Sequence, residues 1–198
     1  MTFTGAIGAA CMYPLLAIVR VCVALRIHPN ALTLIGVIIN FVAAWQFALG
    51  RFVTAGFIML VANIFDFIDG KVAEATNLKS EFGGFWDSVM DRFSDLSLFI
   101  GVIYLYAQLG RTDYVMIAAF AMMFSVMTSY TRARAESMIK ECKVGFMERP
   151  ERIVLVMIGA FTNRMGAVLW VILILSVVTV LDRIYFTWRT LRSGGVTA

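Results

Sequence analysis

Long apolar runs alternate with short polar connections along the chain, and the runs match the length of a membrane-crossing helix, about 20 residues. Six such runs are predicted: Asn30 to Leu49, Phe52 to Glu74, Phe82 to Leu109, Asp113 to Ser137, Arg149 to Thr162 and Met165 to Tyr185. The fifth is short and has basic loops at both ends. Upstream, Gly8 to Leu25 is apolar but contains Arg20 and Pro14 and ends at Arg26-Ile27-His28-Pro29. That pattern suits an amphipathic helix lying in the interface with its arginine toward the headgroups. The expected fold is therefore an all-α integral membrane protein, with an interfacial N-terminal helix over 1–29 and one six-helix domain over 30–198.

Composition agrees, at 198 residues, 61% apolar and 15% charged, with a mean hydropathy of +0.84. So short a chain leaves no room for a separate soluble catalytic module, and any chemistry must sit within or beside the helices. The formal charge is +4. In a membrane protein such an excess reports topology and anionic headgroups before nucleic acid, and no base-stacking motif is present. Alternating the loops places Arg20, Arg26, Lys71, Lys79, Arg132, Arg134, Lys140, Lys143, Arg149, Arg152, Arg183, Arg189 and Arg192 on one side, against Arg51, Arg111 and Arg164 on the other. The excess of basic residues predicts that the first side faces the cytoplasm of an inner membrane. Cys11, Cys22 and Cys142 form no CxxC or paired framework and read as free thiols. Met1 to Ala10 lacks the features of a cleaved signal.

The chemistry lies in two acidic pairs. Asp66 and Asp69 are three apart at the end of the second span; Asp87 and Asp91 are four apart at the start of the third, so each pair shares a helix face. A short connection folds the two helices against each other. Four carboxylates converging in an apolar medium repel one another unless cations neutralise them, and hard oxygen ligands select Mg²⁺ or Mn²⁺. Two such ions can clamp the attacking and leaving oxygens of a phosphoryl displacement. Acids acting as polar glue with Arg92 are the bland alternative, but one arginine cannot neutralise four acids. A divalent-metal transporter is the alternative of another class, though it would distribute acids through the membrane depth. There is no P-loop, G-x-G-x-x-G or HExxH, and His28 is a lone histidine with no catalytic assignment.

The pattern D-x2-D-G-x2-A followed by G-x3-D-x3-D, carried by Asp66, Asp69, Gly70, Ala73, Gly83, Asp87 and Asp91, resembles the signature of the CDP-alcohol phosphotransferases. The resemblance implies a homodimeric membrane transferase. Asp66, Asp69 and Asp87 would be metal ligands, and Asp91 both ligand and general base toward the acceptor hydroxyl. Pro29-Asn30-Ala31-Leu32-Thr33 resembles the segment that helps hold the CDP-lipid, although proline and asparagine here are also ordinary helix N-terminal chemistry. Gly70, Ala73, Glu74, Ser80 and Gly83 complete the donor set that the resemblance implies. Glu74 departs from the pattern, standing where the family has arginine; either it disturbs the donor site, or it faces water while Lys71 or Lys79 restores the positive charge.

Two further segments, Ser129-Tyr130-Thr131-Arg132-Ala133-Arg134-Ala135-Glu136 and Gly145-Phe146-Met147-Glu148-Arg149-Pro150-Glu151-Arg152, resemble those of the bacterial phosphatidylinositol-phosphate synthase subgroup. That resemblance implies CDP-diacylglycerol as donor and inositol 1-phosphate as acceptor, with Arg132, Arg152 and Arg183 on the acceptor phosphate. Guanidinium forks suit phosphate oxygens. Glycerol 3-phosphate, giving phosphatidylglycerophosphate, is the competing acceptor, because it carries a phosphate too. Arg183 could instead snorkel to headgroups as a tail arginine.

Overall fold

The computed structural model describes residues 3–194, with side chains from residue 13 onward. Among the described residues it is entirely helical: α1 Phe3–Ala24, α2 Pro29–Ala48, α3 Phe52–Ala75, α4 Glu81–Gln108, α5 Thr112–Glu136, α6 Arg149–Thr162 and α7 Met165–Arg192. Met1, Thr2 and the Cys11 side chain lie outside the described residues; Cys22 and Cys142 are free and buried.

Four helices, α2, α3, α5 and α7, are long and apolar enough to cross a membrane. The remaining two expected spans fall short for different reasons. α4 has 28 residues, ample for a crossing, but the stretch from Glu81 to Asp95 carries Glu81, Asp87, Asp91, Arg92 and Asp95. α6 has 14 residues, a rise of roughly 21 Å against a hydrocarbon core of about 30 Å.

Two compact units emerge. The first comprises residues up to Ala43 together with Phe57–Ser97; the second comprises Ala44–Gly56 and everything from Leu98 onward. In the first unit, Val19 and Cys22 of α1 pack with Leu32 of α2 and with Ile68 and Val72 of α3. Tyr13, Leu16, Ile18 and Val21 of α1 remain exposed, as an apolar surface does when lipid is its solvent. The connection from α3 to α4 turns on Asn77 at φ 53°, a left-handed conformation that asparagine tolerates. The Leu78 amide then closes back on the Ala73 carbonyl at 3.0 Å. This tight reversal returns α4 alongside the end of α3.

In the second unit α5 packs along α7, and α6 also packs on α7. Gly101 of α4 meets α2 there so closely that a methyl group would overlap the Ala44 carbonyl oxygen. The neighbour is backbone and cannot swing aside. Gly101→Ala should therefore destabilise the protein by about 1–3 kcal/mol, read as a lower thermal midpoint in detergent. The loop before α6 is anchored on α7 by the Met147 amide, which donates to Thr179 Oγ1 at 3.0 Å. Gly145, at φ 91°, lies against the same threonine, where both its conformation and the lack of space require glycine.

Candidate active site

Asp66, near the end of α3, and Asp87 and Asp91, in the first turns of α4, each present a carboxylate oxygen within 4.8 Å of the others. All three are half-buried. The i, i+4 spacing on α4 stacks Asp87 and Asp91, and the reversal at Asn77 brings Asp66 to them. Like charges this close favour a bound cation. The donor set, carboxylate oxygens alone, suits a hard divalent ion such as Mg²⁺ or Mn²⁺. Arg92 Nη1 lies 3.8 Å from Asp91 Oδ2 while donating to the Ser88 carbonyl, so it flanks the trio.

Asp69, the fourth predicted ligand, stands beside this trio and not within it. It is buried, and its Oδ2 accepts a 2.5 Å hydrogen bond from Thr33 Oγ1 of α2. Thr33 thereby fixes one carboxylate oxygen, as the supporting contacts of metal ligands commonly do.

Beside the acids is a cavity of about 310 Å³ lined by α2, α3, α4 and the connection between the last two. Asp69 and Asp87 are both on its wall, as are Pro29, Asn30, Thr33, Gly70, Ala73, Ser80 and Gly83 from the predicted donor set. A Cβ at Gly70 or at Gly84 would meet nothing within 4 Å, so these positions leave the cavity open to a bulky group. Ser80 also supports the local backbone, because its Oγ accepts the Gly83 amide at 3.0 Å and so caps the first turn of α4.

Three predicted donor residues are not on the wall. Leu32 is buried in the apolar cluster with α1 and α3, and Ala31 is exposed on α2. Glu74 is exposed between two lysines, with Lys71 Nζ at 2.9 Å and Lys79 Nζ at 3.7 Å. Lys79 itself lines the cavity, together with Leu78. Lys79 was one of the two lysines expected to restore the positive charge lost at Glu74, whereas Leu78 was not distinguishable from an ordinary connection residue.

A basic cluster is built in the second unit. Arg132 Nη1 of α5 and Arg183 Nη2 of α7 donate to the same oxygen, Glu148 Oε1, at 2.9 and 3.0 Å. Arg152 of α6 donates from Nη1 to Thr128 Oγ1 at 2.9 Å. The Arg183 side chain is only 2% exposed, so it does not snorkel. Its Nε donates to the Val144 carbonyl at 2.9 Å, and its Nη1 donates to the Thr128 carbonyl. Glu148 and Thr128 were missed by sequence reasoning. Glu148 stands at the N-cap of α6 in a reciprocal capping box with Glu151, a position where the usual signature is serine or threonine.

Comparison with known proteins places these features among relatives. The family model described as CDP-alcohol phosphatidyltransferase matches residues 26–181. An archaetidylinositol phosphate synthase of Pyrococcus horikoshii is 36% identical over 182 residues, covering 91% of this chain and 94% of that protein. A phosphatidylinositol phosphate synthase of Mycobacteroides abscessus is 32% identical over 166 residues, covering 79% of this chain and 76% of that one. Among solved structures, the Mycobacterium tuberculosis phosphatidylinositol phosphate synthase with CDP-DAG bound is similar at a TM-score of 0.81 and 26% identity, over 87% of this chain and 92% of that one. The same enzyme in complex with manganese and citrate matches at a TM-score of 0.81 and 27% identity, over 87% and 88% of the two chains.

Proposed function

This chain belongs to the CDP-alcohol phosphatidyltransferase family, and on that premise we propose that it transfers the phosphatidyl group of CDP-diacylglycerol to inositol 1-phosphate, giving phosphatidylinositol phosphate and CMP. The observation that carries the reading is the convergence of Asp66, Asp87 and Asp91 beside a cavity walled by Asp69 and Asp87. Relatives named as inositol phosphate lipid synthases support the choice of acceptor. Their names differ in the lipid, and the 36% identity to an archaetidylinositol phosphate synthase makes an archaetidyl donor the second reading.

Asp66, Asp87 and Asp91, with Asp69 adjoining, would hold Mg²⁺ or Mn²⁺, which supplies neutralisation of the donor pyrophosphate and of the leaving CMP. The chain's own part begins with the cavity, which seats the cytidine diphosphate end against Asn30, Thr33 and Lys79. Asp91 accepts the proton of an inositol hydroxyl as its oxygen forms the new bond to the lipid-bearing phosphorus and the bond to CMP breaks. Arg132, Arg152 and Arg183 bind the acceptor's own phosphate.

The membrane arrangement we propose keeps six crossings, with α1 in the interface ahead of a catalytic domain over 30–198. Support for α6 as a crossing is its connection to α7 through Asn163 and Arg164 alone, which makes α6 the return path before α7. We further propose a homodimer in the inner membrane with its active site facing the cytoplasm.

The test incubates purified protein with CDP-diacylglycerol, Mn²⁺ and either labelled inositol 1-phosphate or labelled glycerol 3-phosphate. A phosphorylated inositol lipid with equimolar CMP is expected. Lipid product from glycerol 3-phosphate alone would replace the acceptor, and Mn²⁺ uptake into proteoliposomes without CMP release would indicate a transporter.

A further inference from the structure

Two of the three candidate acceptor arginines, Arg132 and Arg183, meet on one carboxylate, which also caps the helix that carries the third, Arg152. Glu148 Oε1 accepts from Arg132 Nη1 at 2.9 Å and from Arg183 Nη2 at 3.0 Å, so guanidiniums from α5 and α7 converge on a single oxygen. The same residue is the N-cap of α6: its side chain accepts the Glu151 amide, and the Glu151 carboxylate accepts the Glu148 amide at 3.1 Å. That fixes the first turn of α6, where Arg152 is carried one residue after Glu151. One side chain thus ties together the helices bearing all three arginines.

We infer that Glu148 is the positioning residue of the acceptor-phosphate site, holding Arg132 and Arg183 in register and setting the helix start that carries Arg152. The inference rests on the acceptor reading above. Without an anion, neighbouring guanidiniums repel, and a carboxylate between them offsets that repulsion. Arg183 is held at Nε by the Val144 carbonyl and at Nη1 by the Thr128 carbonyl, so Nη2 is the corner that Glu148 aims. Each terminal guanidinium nitrogen carries a second N–H. A phosphate can therefore add to the pair without displacing Glu148, which makes the carboxylate a scaffold and not a competitor.

Two substitutions separate the roles. Glu148→Gln keeps the shape and the capping oxygen but loses the charge; Glu148→Asp keeps the charge and the cap but is one methylene too short to hold both arginines. The purified full chain is titrated with inorganic phosphate, and its turnover of CDP-diacylglycerol with inositol 1-phosphate and Mn²⁺ is measured in parallel. Both variants are expected to weaken phosphate binding and raise the acceptor KM by about tenfold, with donor KM and kcat within about twofold of wild type. An unchanged acceptor KM, an equal rise in both KM values, or tighter phosphate binding would overturn the inference, as would a wild type that binds no phosphate. If neither variant folds, phenylglyoxal labelling of the wild type decides, because phosphate must then protect Arg132 and failure to protect overturns the proposal. Glu148-dependent phosphate binding without turnover of inositol 1-phosphate would remove the acceptor reading and leave the positioning role standing.

Discussion

Asp91→Asn should lower kcat by about 10²–10⁴-fold, the usual contribution of a general base, while CDP-diacylglycerol binding in Mn²⁺ stays measurable. Asparagine matches aspartate in size and keeps one carbonyl oxygen toward the cluster, so the geometry that places Asp91 within 4.8 Å of Asp66 and Asp87 is retained. What it loses is the capacity to take a proton. CMP release gives the rate, and calorimetric titration with the donor gives the binding. A variant holding more than a tenth of wild-type kcat would take the base role away from Asp91.

Asp87→Ala should be at least as damaging, for a different reason. Asp87 belongs to the carboxylate trio and also lines the cavity, so its removal deprives both the ion and the donor of a contact. Charge stabilisation by a metal is worth several kcal/mol, or about 10³-fold in rate and above. Loss of Mn²⁺ affinity should accompany the loss of turnover, and no excess of Mn²⁺ should restore the wild-type kcat. In chelator, however, removing one of three converging negative charges should leave the thermal midpoint at or above that of the wild type, as functional sites commonly trade stability for activity. A variant that melts early in chelator would mean that Asp87 holds the fold together.

Helix positions were legible because apolar runs and loop chemistry are local. The predicted Arg149 to Thr162 segment is α6 as observed, and Asp113 to Ser137 differs from α5 by one residue at each end. The last helix was underestimated. Its apolar run stops at Tyr185, but α7 continues to Arg192, with Thr187 and Thr190 hydroxyls bonded back to the Arg183 and Phe186 carbonyls. Apolarity marks where lipid ends, whereas the helix runs as far as its own hydrogen bonds do. The acids were legible as two pairs, since spacing of three or four dictates a shared face. Spacing does not dictate where each carboxylate points, and so it could not show that Asp69 takes a hydrogen bond from Thr33. Nor could it show that Glu148 and Thr128 join arginines from three helices, because those partners are 16 to 55 residues distant in the chain.

The burial of Arg183 also bears on how the chain is made. A guanidinium inside an apolar helix is costly until its hydrogen-bonding edge is satisfied. Every partner shown for the Arg183 guanidinium, the carbonyls of Thr128 and Val144 and the carboxylate of Glu148, precedes it in the sequence. Synthesis from the N-terminus therefore produces the receiving groups before the arginine emerges. α7 can then dock onto partners that are already made, and its guanidinium is satisfied as the helix packs.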